Sequence, residues 1–323
     1  MFAKPPAPSI KIQKYMALEP RFPTHHPNWP IFQADYKNWL AGYKGEKSLE
    51  FHLSMLPDED YHIFHNIRLP WGKYFFQIDY LLLCKTFALI LEVKNRSGEY
   101  RFEKHLNQTT LSTNGRISNP VLQARLQALK LKKWLKKHHY PEIPIDHLFV
   151  NSNQKATIRI GHRNEQILRY ICHSEGLLEK ISQIQAIHKQ EKLDSKELRK
   201  LKRLILSSHT PEIFDILAHY QLTSQDLLTG VACPVCGTLP MTYSHGSWSC
   251  SMCSHRSRTA HKSAIQDYFL LIKPTITNAE LRQFLQVDSA RSANRILSGL
   301  NLATTGPNKT RIYFLQKKNH CQP

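Results

Sequence analysis

The chain has 323 residues, of which 41% are apolar, enough for two or three domains with cores of their own. Lys and Arg number 44 against 25 Asp and Glu, a formal charge of +19, which points to a polyanionic partner and first of all to nucleic acid. No run of 18 apolar residues occurs, so no transmembrane helix and no membrane partner is expected.

Residues 1–35 are rich in proline and read as an extended, partly ordered arm. Met1 to Ser9 lack the basic start and apolar block of a secretory signal, so a cytoplasmic location is expected. From Tyr36 the pattern turns helical, with Trp39, Tyr43, Leu49 and Leu53 apolar and Gly42 and Gly45 interrupting. Tyr61–Leu69, Tyr74–Cys84 and Phe87–Val93 are rich in Ile, Phe, Tyr and Leu and read as strands. Glu99–Phe102 and Gln108–Ser112 are short candidate strands of a meander, with a hairpin signal at Asn114-Gly115. Pro120 opens a long helix. Its apolar side is read as Leu122, Leu126 and Leu129 with Ala124, Ala128, Leu131 and Leu135. Ile145–Val150 and Thr157–Ile160 are closing strands, and residues 163–230 a charged helical connector whose longest helix is Ile181–Leu206.

Within the strands stand charges that a buried sheet does not hold without partners. Gln77 and Asp79 fall on one face of their strand, Glu92 and Lys94 on one face of the next. If these strands pair as a hairpin, the two carboxylates converge, and a cation is needed to keep both ionised. Mg²⁺, or Mn²⁺, suits such oxygen ligands and can activate water at a phosphate, with Lys94 offsetting phosphate charge. Glu46 is a third acid within reach. Gln123, Gln127 and Lys130 lie on one side of the long helix, and Lys130 and Lys133 belong to its basic run. The alternative for Glu92 and Lys94 is a simple ion pair at a strand end.

Four segments, Gly42–Glu50, Phe76–Tyr80, Leu91–Asn95 with Gly98, and Asn119–Gln123, resemble in order and spacing the nuclease-related domain family, itself similar to restriction-endonuclease-like nucleases. The resemblance spans roughly residues 36–150 and is assigned to a domain at 36–162. It implies an α/β (α+β) fold, a mixed sheet flanked by helices, and metal-dependent phosphodiester cleavage. Carried over by position, Glu46, Asp79 and Glu92 would bind the metal, Lys94 would be the catalytic lysine, and Gln123 an accessory residue.

Beyond residue 230 the character changes. Cys233-Pro-Val-Cys236 and Cys250-Ser-Met-Cys253 present four thiols at the spacing of a structural Zn²⁺ ribbon, expected at 231–260. His245, His255 and His261 are not needed as ligands. Trp248, Tyr243, His255, Arg256 and Arg258 either form a stacking and phosphate-binding face or, for the aromatics, simply pack the ribbon. Residues 261–318 read as a winged helix-turn-helix: a Thr277–Glu280 capping box, a second helix at Ser289–Leu300, and a basic hairpin. Arg291, Asn294 and Arg295 would face DNA, with Lys309 and Arg311 on the wing. A nuclease, with DNA the expected substrate by this reading of its modules, competes with a non-catalytic nucleic-acid binder that uses the nuclease fold as scaffold, and with an interaction protein. Oligomeric state is not legible.

Overall fold

The computed structural model of the chain describes residues 1–307 and 310–316. These form two compact units. The first comprises Met1–Ser9 and Asn38–Glu212, the second Ile10–Lys37 and the described residues from Ile213 onward.

The expected N-terminal arm is instead regular structure. Phe2–Lys4 forms strand β1 and Ile10–Leu18 helix α1, which buries Ile12, Tyr15, Ala17 and Leu18. Helix α2 (Trp29–Leu53) starts well before Tyr36 and runs through both glycines. Prolines punctuate this region but stand at helix starts and connections, where the missing N–H costs nothing.

Strands β2 (His62–Trp71), β3 (Tyr74–Leu83) and β4 (Ala88–Lys94) follow as a meander. The short β5 (Gly98–Phe102), β6 (Thr109–Leu111) and β7 (Gly115–Ile117) lead into α3 (Pro120–Lys137), capped by the Asn119 side chain. β8 (Ile145–Asn151), β9 (Ala156–Ile160), β10 (Ile171–His173), α4 (Leu177–Ile187) and α5 (Ser195–Ser208) complete the first unit. The single long helix expected at Ile181–Leu206 is thus two. Asp194 caps α5 through a capping box with Glu197, which starts a new helix and breaks the old one.

The main sheet has the order β1-β2-β3-β4-β8-β10, and β4, β8 and β10 run parallel. A smaller sheet, β7-β6-β5-β9, stands beside it. Helices cover both faces of the main sheet. On one, Ala128, Leu131, Trp134 and Leu135 of α3 and Leu198, Leu201 and Ile205 of α5 pack against Ile67, Ile78 and Ile90. On the other, Leu49 and Leu53 of α2 and Leu177 and Ile181 of α4 pack against Tyr80, Leu82 and Leu91. Each buried Leu or Ile among them contributes about 1.5–3 kcal/mol. Leu122, Leu126 and Leu129, read as part of the buried side of α3, are 39%, 50% and 52% exposed. The helix carries two apolar stripes, and the one spaced 124, 128, 131, 135 meets the sheet.

In the second unit α6 (Ile216–His219) precedes a three-stranded ribbon, β11 (Thr242–Ser244), β12 (Ser247–Ser249) and β13 (Arg256–Ser257). Then come α7 (His261–Leu271), β14 (Thr275–Thr277), α8 (Asn278–Leu285), α9 (Ala290–Ser298), β15 (Leu302–Thr305) and β16 (Ile312–Leu315), with sheet order β14-β16-β15. One apolar cluster joins Trp248 of the ribbon to Tyr268, Phe284 and Leu297 of the helices. Buried Arg21 is held by Asp267 at 2.9 Å and by the Leu228 and Gly230 carbonyls. No described helix is long and apolar enough to cross a membrane.

At Gly45 α2 passes close against Asn95 and Ser152. A Cβ there would lie 2.3 Å from Asn95 Cβ and 2.7 Å from Ser152 Oγ, whereas one on Gly42 meets nothing within 4 Å. Alanine is normally favoured over glycine in a helix by about 1 kcal/mol. In denaturant unfolding Gly42→Ala should therefore stabilise the protein, and Gly45→Ala should destabilise it by about 1–3 kcal/mol, because the added methyl overpacks the contact.

Candidate nuclease site and zinc ribbon

The ladder between β3 and β4 runs from Leu83↔Ala88 to Tyr80↔Leu91 and stops. Asp79 and Glu92 are the next residues on either strand, so the two acids stand where the strands part. The β2–β3 ladder also skips a rung here, between His65↔Tyr80 and Ile67↔Ile78. At the skipped position Asn66 has φ +51°. Side-chain alternation slips across this point: Ile78 and Leu81 share one core cluster, while Tyr80 and Leu82 belong to the other. Strict two-residue alternation, expected from Gln77 through Asp79, fails for that reason. Gln77 is exposed and donates to Asn66 Oδ1.

Asp79 Oδ2 accepts the Val93 N–H at 2.9 Å. Glu92, buried mid-strand, accepts from Lys94 Nζ at 2.5 Å. Glu46 comes from α2, one residue after the close contact at Gly45; Tyr80 Oη donates to its carbonyl at 3.0 Å, and its carboxyl shares a 2.8 Å hydrogen bond with His65 Nε2. β1 brings in a residue that the sequence reading missed: Lys4 Nζ donates to the carbonyls of His65 and Asn66 at 2.7 and 3.0 Å. His65 was missed too. Both sit in segments whose local pattern carries no chemical signal, and only the pairing of β1 with β2 brings Lys4 there.

Burial, then the neighbouring Glu92 and Glu46, push the Asp79 carboxyl well above the usual carboxylate range. Burial raises Glu46 to about 7; Glu92 adds to that, and Lys94 and Lys4 oppose it. Burial works against the Lys94 ammonium, but Glu92 and Asp79 outweigh it and raise its pKa. Lys4 is lowered to about 8 and His65 to about 4, both chiefly by burial. The excess of enclosed carboxylate over enclosed cation is what a bound divalent ion would relieve.

Gln123 lines a cavity of about 210 Å³ together with Lys94, Arg96, Tyr100, Ile117, Ser118 and Pro120. Its Oε1, that of Gln127 and the Tyr100 hydroxyl are buried without a hydrogen-bond partner. Among the described residues only the cysteine quartet gathers three or more His, Cys, Asp or Glu ligand atoms within 4.8 Å of one another. The three carboxylates stand further apart, each turned to a partner within the protein. Their chemistry fits a hard cation, and the unpartnered Gln123 amide oxygen, in the cavity that Lys94 also lines, fits an incoming polar ligand.

In the ribbon, Cys233 Sγ lies 3.6 Å from Cys253 Sγ and Cys236 Sγ 3.4 Å from Cys250 Sγ. A tetrahedral zinc ion with bonds of about 2.3 Å spaces its sulfurs about 3.8 Å apart, so these four thiols could hold one. Trp248 is fully buried and donates from Nε1 to His261 Nδ1, with the Tyr243 ring 4.7 Å away. It packs the ribbon and offers no stacking face.

Lys130 is half-buried on α3, while Lys133 and Arg256 are exposed. On α9, Arg291 is exposed, Asn294 accepts from Asn278 Nδ2, and Arg295 donates to Tyr243 Oη at 3.2 Å. Arg295 therefore turns toward the ribbon, where it lines a cleft of about 380 Å³ with Arg258, Lys262, His245 and His261. Arg311 is half-buried, and Lys309 lies outside the described residues.

Two outcomes are expected from the chemistry of these sites. A carboxyl whose folded pKa is raised gives stability that is complete below its unfolded pKa and lost as pH rises through the folded value. In EDTA the melting temperature should therefore fall between pH 4.5 and about 7, the span of the Glu46 shift, and fall less in Glu46→Gln. Elemental analysis of purified protein should find stoichiometric zinc, lost in Cys250→Ser together with cooperative unfolding of the second unit.

The family model for the nuclease-related domain, NERD, matches residues 41–152. No curated protein and no solved structure matches the chain. The matched segment contains the end of α2, the β2–β3–β4 meander, α3 and β8, with Glu46, Asp79, Glu92, Lys94 and Gln123 among its residues. Residues 41–152 thus match a nuclease-related domain, and the mixed sheet flanked by helices that they form is restriction-endonuclease-like in fold.

Proposed function

We propose that the first unit is a metal-dependent nuclease that hydrolyses phosphodiester bonds of nucleic acid, DNA foremost. The observation that carries this reading is the enclosure of Glu46, Asp79 and Glu92 with Lys94 at the parting of β3 and β4, beside the cavity lined by Gln123. Glu46, Asp79 and Glu92 would hold Mg²⁺ or Mn²⁺. A divalent ion there supplies an activated water and offsets charge on the scissile phosphate.

The protein's own groups do the rest. Lys94 reaches the cavity while bonded to Glu92, so its ammonium can orient a water or a phosphate oxygen. Arg96 and Gln123 supply further donors at the cavity wall for the phosphate or the neighbouring sugar. His65 holds the Glu46 carboxyl and, neutral near pH 7, adds no cation that would compete with the metal. Lys4 fixes the irregular backbone at His65 and Asn66.

The second unit supports nucleic-acid binding. We read its thiols as a structural zinc ribbon. The order helix, strand, helix, helix, strand, strand from α7 to β16 supports a winged helix. The basic cleft between the ribbon and α9 gives the same unit a phosphate-binding surface.

One observation favours a second reading. Each carboxylate is already satisfied by Lys94, Val93 or His65, as suits a scaffold that binds nucleic acid without cutting it. Incubation with plasmid, linear and single-stranded DNA in Mg²⁺, Mn²⁺ or EDTA separates the two. The nuclease reading expects metal-dependent cleavage, a loss of at least about 100-fold in Asp79→Asn and Glu92→Gln, and binding in EDTA close to wild type. Full cleavage by Asp79→Asn, or none by the wild type in any metal, would overturn it.

A further inference from the structure

The tip of the β2–β3 hairpin is an unusual surface. Trp71 and Tyr74 face each other at its last rung, closed by Gly72 with φ +59°. Tyr74 is 64% exposed and the adjacent Phe75 40%. Their rings are attended by cations: Lys73 Nζ lies 5.3 Å from the Tyr74 centroid and the Arg68 guanidinium carbon 3.7 Å from that of Phe75. Lys133 and Lys137, one turn apart on α3, line an open depression of about 530 Å³ with Trp71, Gly72, Lys73 and Tyr74. Among the described residues no carboxylate lines it.

Arg68 covers the Phe75 face, but the Tyr74 ring is open and bordered by the ammonium groups of Lys73, Lys133 and Lys137, and such a surface has a specific complement. A base of an unpaired strand stacks on the ring while the phosphates meet the lysines. A duplex offers the phosphates but keeps its base faces covered. The lysine charges also disfavour a cationic or purely apolar partner.

The platform lies at a defined distance from the acid cluster. Along β3, Tyr74 is about 17 Å from Asp79 at about 3.4 Å per residue. Along α3, Lys133 is about 15 Å from Gln123 at 1.5 Å per residue. Two elements thus give the same span independently, and a stacked strand advancing about 3.4 Å per nucleotide covers it in about five nucleotides.

We propose that the β2–β3 hairpin tip and the C-terminal half of α3 form a stacking platform for an unpaired nucleic-acid strand, about five nucleotides from the acid cluster. The proposal rests on the nuclease reading of this unit for its purpose, but its binding can be read without cleavage. It makes the preferred substrate a single strand, or a duplex with an unpaired end.

The test is fluorescence anisotropy of the full chain with labelled oligothymidylate and with a duplex of equal length, both in EDTA. Tyr74→Ala should weaken single-strand binding about 10-fold, within the 1–3 kcal/mol range of one stacked base, and Tyr74→Phe should restore most of it. Lys133→Ala with Lys137→Ala should flatten the salt dependence for the single strand by about 1.4 in logarithmic slope. Duplex binding should stay close to wild type in Tyr74→Ala, since a duplex keeps its base faces covered. Exposure of Tyr74 keeps its variants folded, which circular dichroism checks. Unchanged single-strand affinity in Tyr74→Ala would overturn the platform and leave the surface to a protein partner. Equal losses for single strand and duplex in Tyr74→Ala would also overturn it. A wild type that cuts nothing yet shows the Tyr74 effect would support the platform and remove the nuclease reading alone.

Discussion

Three carboxylates shut into the end of a sheet with little cation to balance them set the terms for the whole first unit. Such a cluster persists only if the surrounding fold over-determines it. The parting of β3 from β4, the skipped rung at Asn66, and the approach of α2 through Gly45 each add a constraint. Together they fix Asp79 and Glu92 where extended strands would have buried Leu or Val, and bring Glu46 of α2 to them. Lys94 and Lys4 soften the repulsion without removing it, and the raised pKa of Glu46 and Asp79 is the remainder.

The sheet explains why residues so far apart in the chain can meet. β4 and β8 are parallel, so α3 must cross over the face between them, and that crossing lays Gln123 beside Lys94 at one end. The other end of the same helix reaches the hairpin tip with Lys133 and Lys137. One crossover connection thereby joins the cavity lined by Lys94 and Gln123 to the exposed hairpin tip. In the second unit the corresponding economy is a shared core: Trp248 packs among the helices' apolar residues, so the ribbon and the helical part act as one body with a basic cleft between them.

Much of this was legible in the sequence. The strands carrying Asp79 and Glu92 were found from their apolar residues, the start of α3 from Pro120, the start of α8 from Thr277 and Glu280, and the ribbon from its cysteine spacing. What escaped were features set by tertiary contact. Nothing local distinguishes the buried stripe Ala124–Ala128–Leu131–Leu135 from the exposed Leu122–Leu126–Leu129; the sheet chooses between them. The Asn66 slip reverses side-chain phase within β2 and β3, and a fixed period of two cannot anticipate it. Lys4 enters through parallel pairing across some sixty residues of chain, a non-local contact with no sequence signature. Asp194–Glu197 was a readable capping signal hidden inside an apparently continuous helix.

The most direct test of the central claim is crystallographic. Crystals grown or soaked with Mn²⁺ should show an anomalous peak at the acid cluster, held by Asp79, Glu92 and Glu46, with the Lys94–Glu92 pair broken. The cysteine quartet would carry its own zinc signal as an internal reference. Occupied zinc with no manganese density at the acids, and the Lys94–Glu92 pair intact, would contradict the account.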